Sequence, residues 1–198
     1  MAKNFFLSLF FVLSIIMGLV VIISNYLVQF PINHYNLQEV LTYGAFSYPV
    51  TFLITDLANR AYGIAIAKKI VYIGFIIGVV LTLTISTNFS DLISVRIAIG
   101  SGVAFLVAQT IDINVFDKLR ANKTWFIAPL ASSLIGSAID TSLFFSISFY
   151  NTTVPWASLA FGDFAVKLLI ALMMLIPFRL LLKFIVESSE KKILYKII

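Results

Sequence analysis

Apolar residues run along this chain in blocks of roughly 17–27 positions, each closed by a cluster of polar, proline or basic residues. A helix that crosses a bilayer needs ~20 apolar residues. The pattern therefore predicts six spans, over about residues 5–23, 40–62, 70–86, 93–116, 125–149 and 159–185. The first block follows Lys3 and resembles a signal peptide, but it is long, lacks a small-residue cleavage pattern and precedes further spans, so a retained signal-anchor is expected. Pro49 falls inside the second block and is expected to kink or open the helix there. Asn88 to Asp91 reads as a short turn, and the basic tail after Glu187 as a short interfacial helix.

The loops supply an orientation. Lys3 precedes the first block, Lys68 and Lys69 separate the second from the third, and Lys118, Arg120 and Lys123 separate the fourth from the fifth. Lys183, Lys191, Lys192 and Lys196 close the chain, whereas residues 25–39, 87–92 and 150–157 carry no lysine or arginine. Basic loops stay cytoplasmic, so both termini are expected inside, an N-in/C-in arrangement. Composition agrees: 61% of the 198 residues are hydrophobic, against about 45–50% in soluble domains. The fold class expected is an all-α integral membrane protein, a six-transmembrane-helix bundle forming a single polytopic domain over residues 1–198. The net charge of +5 then reads as a belt facing anionic headgroups rather than a nucleic-acid surface. The chain has no cysteine and one histidine, His34, so neither a thiolate site nor a multi-histidine metal site can form. No metal and no cofactor are expected.

Against that apolar background seven ionisable residues stand out: Asp56, Arg60, Arg96, Asp112, Asp140, Asp163 and Lys167. A charge at the bilayer centre costs about 2.5–3.5 kcal/mol on insertion scales, so such groups are expected to pair or to face an internal polar path. Counting depth from the expected orientation, Asp140, Asp163, Lys167 and Arg96 fall in the outer half, with Phe46 and Tyr48 near them and Gln109 as a possible floor. Asp163 and Lys167 share a helix face at i,i+4. Asp56, Arg60 and Asp112 fall toward the cytoplasm, as an inner gate or a structural network; Asp56 and Arg60 also have ion-pair spacing. Gly74 and Gly78 form one G-x-x-x-G, a weak sign of close helix contact. No phosphate-binding G-x-x-x-x-G-K-[ST] and no His-Glu-x-x-His zinc helix occurs, so the chain is not expected to be an enzyme.

The runs Ser24-Asn25-Tyr26-Leu27-Val28-Gln29, Gly44-Ala45-Phe46-Ser47-Tyr48-Pro49 and Phe52 to Leu57 with Arg60 and Gly63 resemble the queuosine precursor transporters, the vitamin uptake transporter (VUT) family. The likeness continues through Arg96-Ile97-Ala98, Gln109 to Asp112, Leu119-Arg120, Trp125, Ala128-Pro129, Asp140-Thr141 and Asp163 to Lys167. It implies a six-helix inner-membrane protein that imports 7-deazaguanines such as 7-cyano-7-deazaguanine for salvage into tRNA. A deazaguanine offers a ring N–H and an exocyclic amine side by side, which one carboxylate can accept together. Asp140 or Asp163 would suit, with Arg96, Lys167 or Gln109 donating to the ring carbonyl and Phe46, Tyr48 or Phe145 stacking. The expected partners are a small purine-like molecule and the lipid bilayer, with no nucleic acid. A homodimer is left open, as is the rival reading of a substrate-capture subunit of an energy-coupling factor (ECF) transporter.

Overall fold

The computed structural model describes the backbone of residues 2–34, 37–38, 40–87 and 89–197, and side chains within 10–182. Among the described residues seven α-helices follow one another: α1 (Ala2–Leu27), α2 (Gly44–Ser47), α3 (Val50–Tyr62), α4 (Ile64–Leu81), α5 (Leu92–Leu119), α6 (Ile127–Phe149) and α7 (Trp156–Ile197). A π-helical turn, Thr82–Ser86, prolongs α4. No strand occurs among the described residues; a lone bridge between Pro31 and Thr42 ties the base of the α1–α2 loop.

Burial is inverted relative to a soluble protein. Thr51, Thr55, Asp56, Asn59, Gln109 and Asp112 are at most 2% exposed, whereas Ile76, Phe161, Leu169, Met173 and Ile176 are more than half exposed. Such a surface is stable only in hydrocarbon, and α1, α4, α5, α6 and α7 are each long and apolar enough to cross it.

The second block departs from the single helix predicted over 40–62. The chain forms four residues of α2, then Tyr48 and Pro49, then the thirteen residues of α3. Proline has no N–H to continue the ladder. The Tyr48 carbonyl is satisfied instead by the Thr51 backbone N–H at 3.0 Å and the Thr51 hydroxyl at 2.8 Å. Nor is α3 an apolar helix: its buried face carries Thr51, Thr55, Asp56 and Asn59.

Two other boundaries shift. Lys68 and Lys69, predicted in a loop, lie inside α4, because Gly63 alone joins α3 to α4. Its φ of +82° is a conformation that other residues adopt only with strain. The tail expected as a separate interfacial helix continues α7 to Ile197; its lysine side chains, like those of Lys3 and Lys183, lie outside the described residues, as does Asn88 of the predicted 88–91 turn.

α5 packs most extensively on α6, α1 on α4, and α6 on α7. Small residues set the α1–α4 approach: a Cβ on Gly74 would fall 2.4 Å from Met17 Cγ, and one on Gly78 2.9 Å from Val21 Cγ1. The weak G-x-x-x-G sign thus marks a close contact.

Candidate functional site

α6 and α7 bring three charged side chains together. Lys167 Nζ lies 2.8 Å from Asp140 Oδ2 and 2.6 Å from Asp163 Oδ2. It also donates to the Thr141 hydroxyl at 3.1 Å, and that hydroxyl donates to Asp163 at 2.7 Å. All three charged residues are under 5% exposed. One ammonium between two carboxylates leaves an excess negative charge. Tyr48, held at the α2–α3 break, places its ring 4.9 Å from Lys167 Nζ. The Tyr48 hydroxyl stands beside Asp140, and it and Asp140 Oδ1 are buried without completing a hydrogen bond. Both residues line a space of about 20 Å³ with Asn25, Ser101 and Phe144, room for about one water molecule.

The remaining predicted outer residues are placed differently. Arg96 is not at this cluster: its guanidinium donates to the Ile147 and Tyr150 carbonyls at 2.8–3.2 Å, capping the end of α6. Phe46 is 47% exposed, on the opposite side of its short helix from buried Ala45 and Gly44. Gln109 donates to Thr51 at 2.9 Å and accepts from Thr55 at 2.6 Å, tying α5 to α3.

Asn25, Ser101, Thr141 and Phe144 were not singled out from sequence as site residues. Asn25 donates to Thr82 of the π-turn at 3.0 Å and accepts from Ser101, so α1, α4 and α5 meet at the cavity wall. Asn25 had read as the start of a loop, and only its neighbourhood in the Ser24-Asn25 run pointed to it. Thr141 had a signal of its own, adjacency to Asp140.

The inner group is also rearranged. Asp56 accepts from Ser132 at 3.1 Å and, at the 3.5 Å limit, from Ser133. Arg60, which the i,i+4 spacing allowed as its ion-pair partner, donates instead to the Arg120 carbonyl at the end of α5. Arg120 returns a bond to the Asn59 carbonyl at 3.1 Å and pairs with Asp117 at 3.3 Å. Asp112 stands beside Asp56, fully buried, with Ser132 within reach but no hydrogen bond completed to either oxygen.

Three cavities follow one another along α6 and α7. The one at the α6–α7 loop, about 350 Å³, is walled by Phe145, Phe149 and Leu159 with Gln29, Gln38 and Asp91 among its polar groups. The lysine cluster comes next, at Asp140, Phe144, Asp163 and Lys167, and Val28 lines both spaces. The one farthest from that loop, about 10 Å³, lies against Ser133, Ser137, Ala171 and Phe178, with Asp56 in its wall. The order down α6 (149, 145, 144, 140, 137, 133) matches the order along α7 (159, 163, 167, 171, 178). Among the described residues no three histidine, cysteine or acidic side chains stand close enough to hold a metal.

The comparisons agree with this polar interior in an apolar shell. A family profile described as "Putative vitamin uptake transporter" matches residues 42–182. The chain is 34% identical over 203 aligned positions, 91% of each chain, to the "Queuosine precursor transporter" of Escherichia coli (strain K12). It is 35% identical to the "Probable queuosine precursor transporter" of Haemophilus influenzae, over 78% of this chain and 77% of that one. It is 27% identical to the protein of the same description in Bacillus subtilis, over 76% and 75%. No solved structure matches. The family is one of transporters rather than enzymes, and its helices make this a multi-pass bacterial membrane protein. The chain belongs to the vitamin uptake transporter family.

Proposed function

We propose that the chain imports queuosine precursors, 7-deazaguanines such as 7-cyano-7-deazaguanine, for salvage into tRNA. The observation that carries this reading is the buried polar cluster around Lys167, in which Asp140 Oδ1 and the Tyr48 hydroxyl face each other without completing a hydrogen bond. The carboxylate accepts the base's ring N–H and amine; Tyr48 or Lys167 donates to the ring carbonyl, and Phe144 offers a stacking face. Asp163 holds Lys167 in place and is the alternative acceptor.

At about 20 Å³ the inner binding space is closed to a base, which the outer cavity of about 350 Å³ can admit. Import therefore requires α3 to part from α6 and α7, opening first to the outer cavity and then toward the cavity at Ser133 and Ser137. At about 1.5 Å per residue, residues 44–62 reach about 28 Å despite the break, close to the ~30 Å bilayer core. Counting α2 and α3 as one interrupted span gives six spans, one membrane domain over 1–198, and both termini inside.

The test is uptake of labelled 7-cyano-7-deazaguanine into cells lacking their own route. A hydrogen bond to a charged group contributes about 1.5–3 kcal/mol, so Asp140→Asn should weaken uptake at low substrate by at least about tenfold, and Asp163→Asn by less. Unimpaired uptake by both variants refutes carboxylate recognition. Uptake by the purified chain alone in proteoliposomes excludes the ECF-subunit reading, which requires an ATPase partner.

A further inference from the structure

The transport reading leaves one group of buried polar atoms unused. Asp56 on α3 and Asp112 on α5 lie side by side, 2% and 0% exposed. Ser132 and Ser133 of α6 donate to Asp56, and Ser132 also stands within reach of Asp112, whose two oxygens complete no hydrogen bond. Ser137, 2% exposed, lines the same small cavity as Asp56, and its hydroxyl too is unpartnered. The Asn59 side-chain oxygen, one turn below Asp56, is likewise free. Oxygens gathered this way suit a proton and the water that delivers it.

Among the described residues no cation pairs with the two carboxylates, and Arg179 of α7 lies over the Trp125 ring at 4.8 Å. Arg60 is spent on the Arg120 carbonyl, and Arg120 on Asn59 and Asp117. Lys167 is held by Asp140 and Asp163. α7 presents Ala171, Met174, Leu175 and Phe178 to this cavity. α4 brings Lys68, half-buried, and exposed Lys69, neither in an ion pair with the carboxylates. The described side chains of α1 include no charged residue. Two adjacent carboxylates in a low-dielectric interior cannot both stay ionised cheaply.

We propose that Asp56 and Asp112 share the proton that couples substrate import to a pH gradient. The proposal rests on the transport reading and adds its energy source. A proton from the outer solution forms an O–H bond on the pair, removing its repulsion and letting α3, α5 and α6 close. When the inner side opens, the O–H bond breaks, the proton leaves to the cytoplasm and the pair regains its charge. One proton crosses per substrate.

The experiment uses the full chain in proteoliposomes with labelled 7-cyano-7-deazaguanine and a pH-sensitive dye inside. The wild type should exchange labelled for unlabelled substrate without a gradient. With the outside one unit more acidic it should accumulate substrate up to about tenfold, acidifying the interior. Asp112→Asn, nearly isosteric, should keep exchange and lose both accumulation and acidification. Exchange by the wild type with no response to the gradient overturns the proton proposal and leaves the transport reading standing. Gradient-driven accumulation by Asp112→Asn overturns the assignment to this pair. Absence of exchange in the wild type defeats the transport reading first, and the coupling with it. Infrared spectra of the detergent-solubilised protein give a readout independent of activity. The wild type should show a protonated-carboxyl band at neutral pH that Asp112→Asn lacks; the same band in both, or none in the wild type, overturns the proposal.

Discussion

A lysine buried to 3% exposure between two carboxylates is held by geometry that a single substitution can undo. Removing one partner of a buried ion pair costs about 3–5 kcal/mol, because the charge left behind is uncompensated. Lys167→Met leaves Asp140 and Asp163 facing each other across Thr141. Its thermal unfolding in detergent should therefore fall well below that of the wild type. Adding Asp163→Asn to Lys167→Met should recover part of the loss, since it removes one of the stranded charges. A midpoint for Lys167→Met equal to that of the wild type contradicts the picture of a clamped triad. Much of this triad was readable from sequence. The i,i+4 spacing put Asp163 and Lys167 on one face, and the depth count put Asp140 in the same outer half, as a group that had to pair or face a polar path. Arg96 was not readable in this way. A guanidinium satisfied by backbone carbonyls leaves the same trace in sequence as one facing a ligand.

Helices in hydrocarbon gain nothing from burying leucine against leucine, so close backbone approach carries more of their association. At Gly18, Gly74 and Gly78 the α1–α4 seam has no room for a Cβ. Gly74→Val should force the two helices apart, costing about 1–3 kcal/mol as overpacking. The loss reads out as a lower unfolding midpoint, and the Lys167 cluster on α6 and α7 is left untouched. A midpoint unchanged within error would mean that the seam tolerates a wider gap. Hydropathy located α1, α5, α6 and α7 well but misjudged the second block, whose polar residues alternate with apolar ones closely enough to average as a span. Pro49 signalled an interruption; that the interruption would carry Tyr48 to the Lys167 ammonium depends on how α2 packs against α1. Asp56 and Arg60 show the same limit. Their spacing permits a bond along α3, yet the reach of Arg60 to the Arg120 carbonyl is a contact between distant parts of the chain.

Across the whole molecule, the packing divides into α5 with α6 and α7 on one side and α1 with α4 on the other, and α3 forms the wall between the polar cavities and α4. Because the chain has no cysteine, single introduced cysteines report access without background. Leu159→Cys, in the wall of the outer cavity, should react with a membrane-impermeant maleimide added outside intact cells. Ser133→Cys, by the inner cavity, should react only from the cytoplasmic side in inverted vesicles. Reaction of both from the same face would rule out stacked compartments reached from opposite sides.

The one-residue link at Gly63 has a mechanical meaning. With a single glycine at +82° between them, α3 and α4 share one joint, and any tilt of one against the other must be taken up by the torsions of Gly63. The tight glycine seam then hands that motion on to α1. In the proposed import cycle a swing of α3, which carries Asp56, is thereby passed to a helix whose first turns bear Lys68 and Lys69, and the charge of the surrounding lipid acquires leverage on that swing.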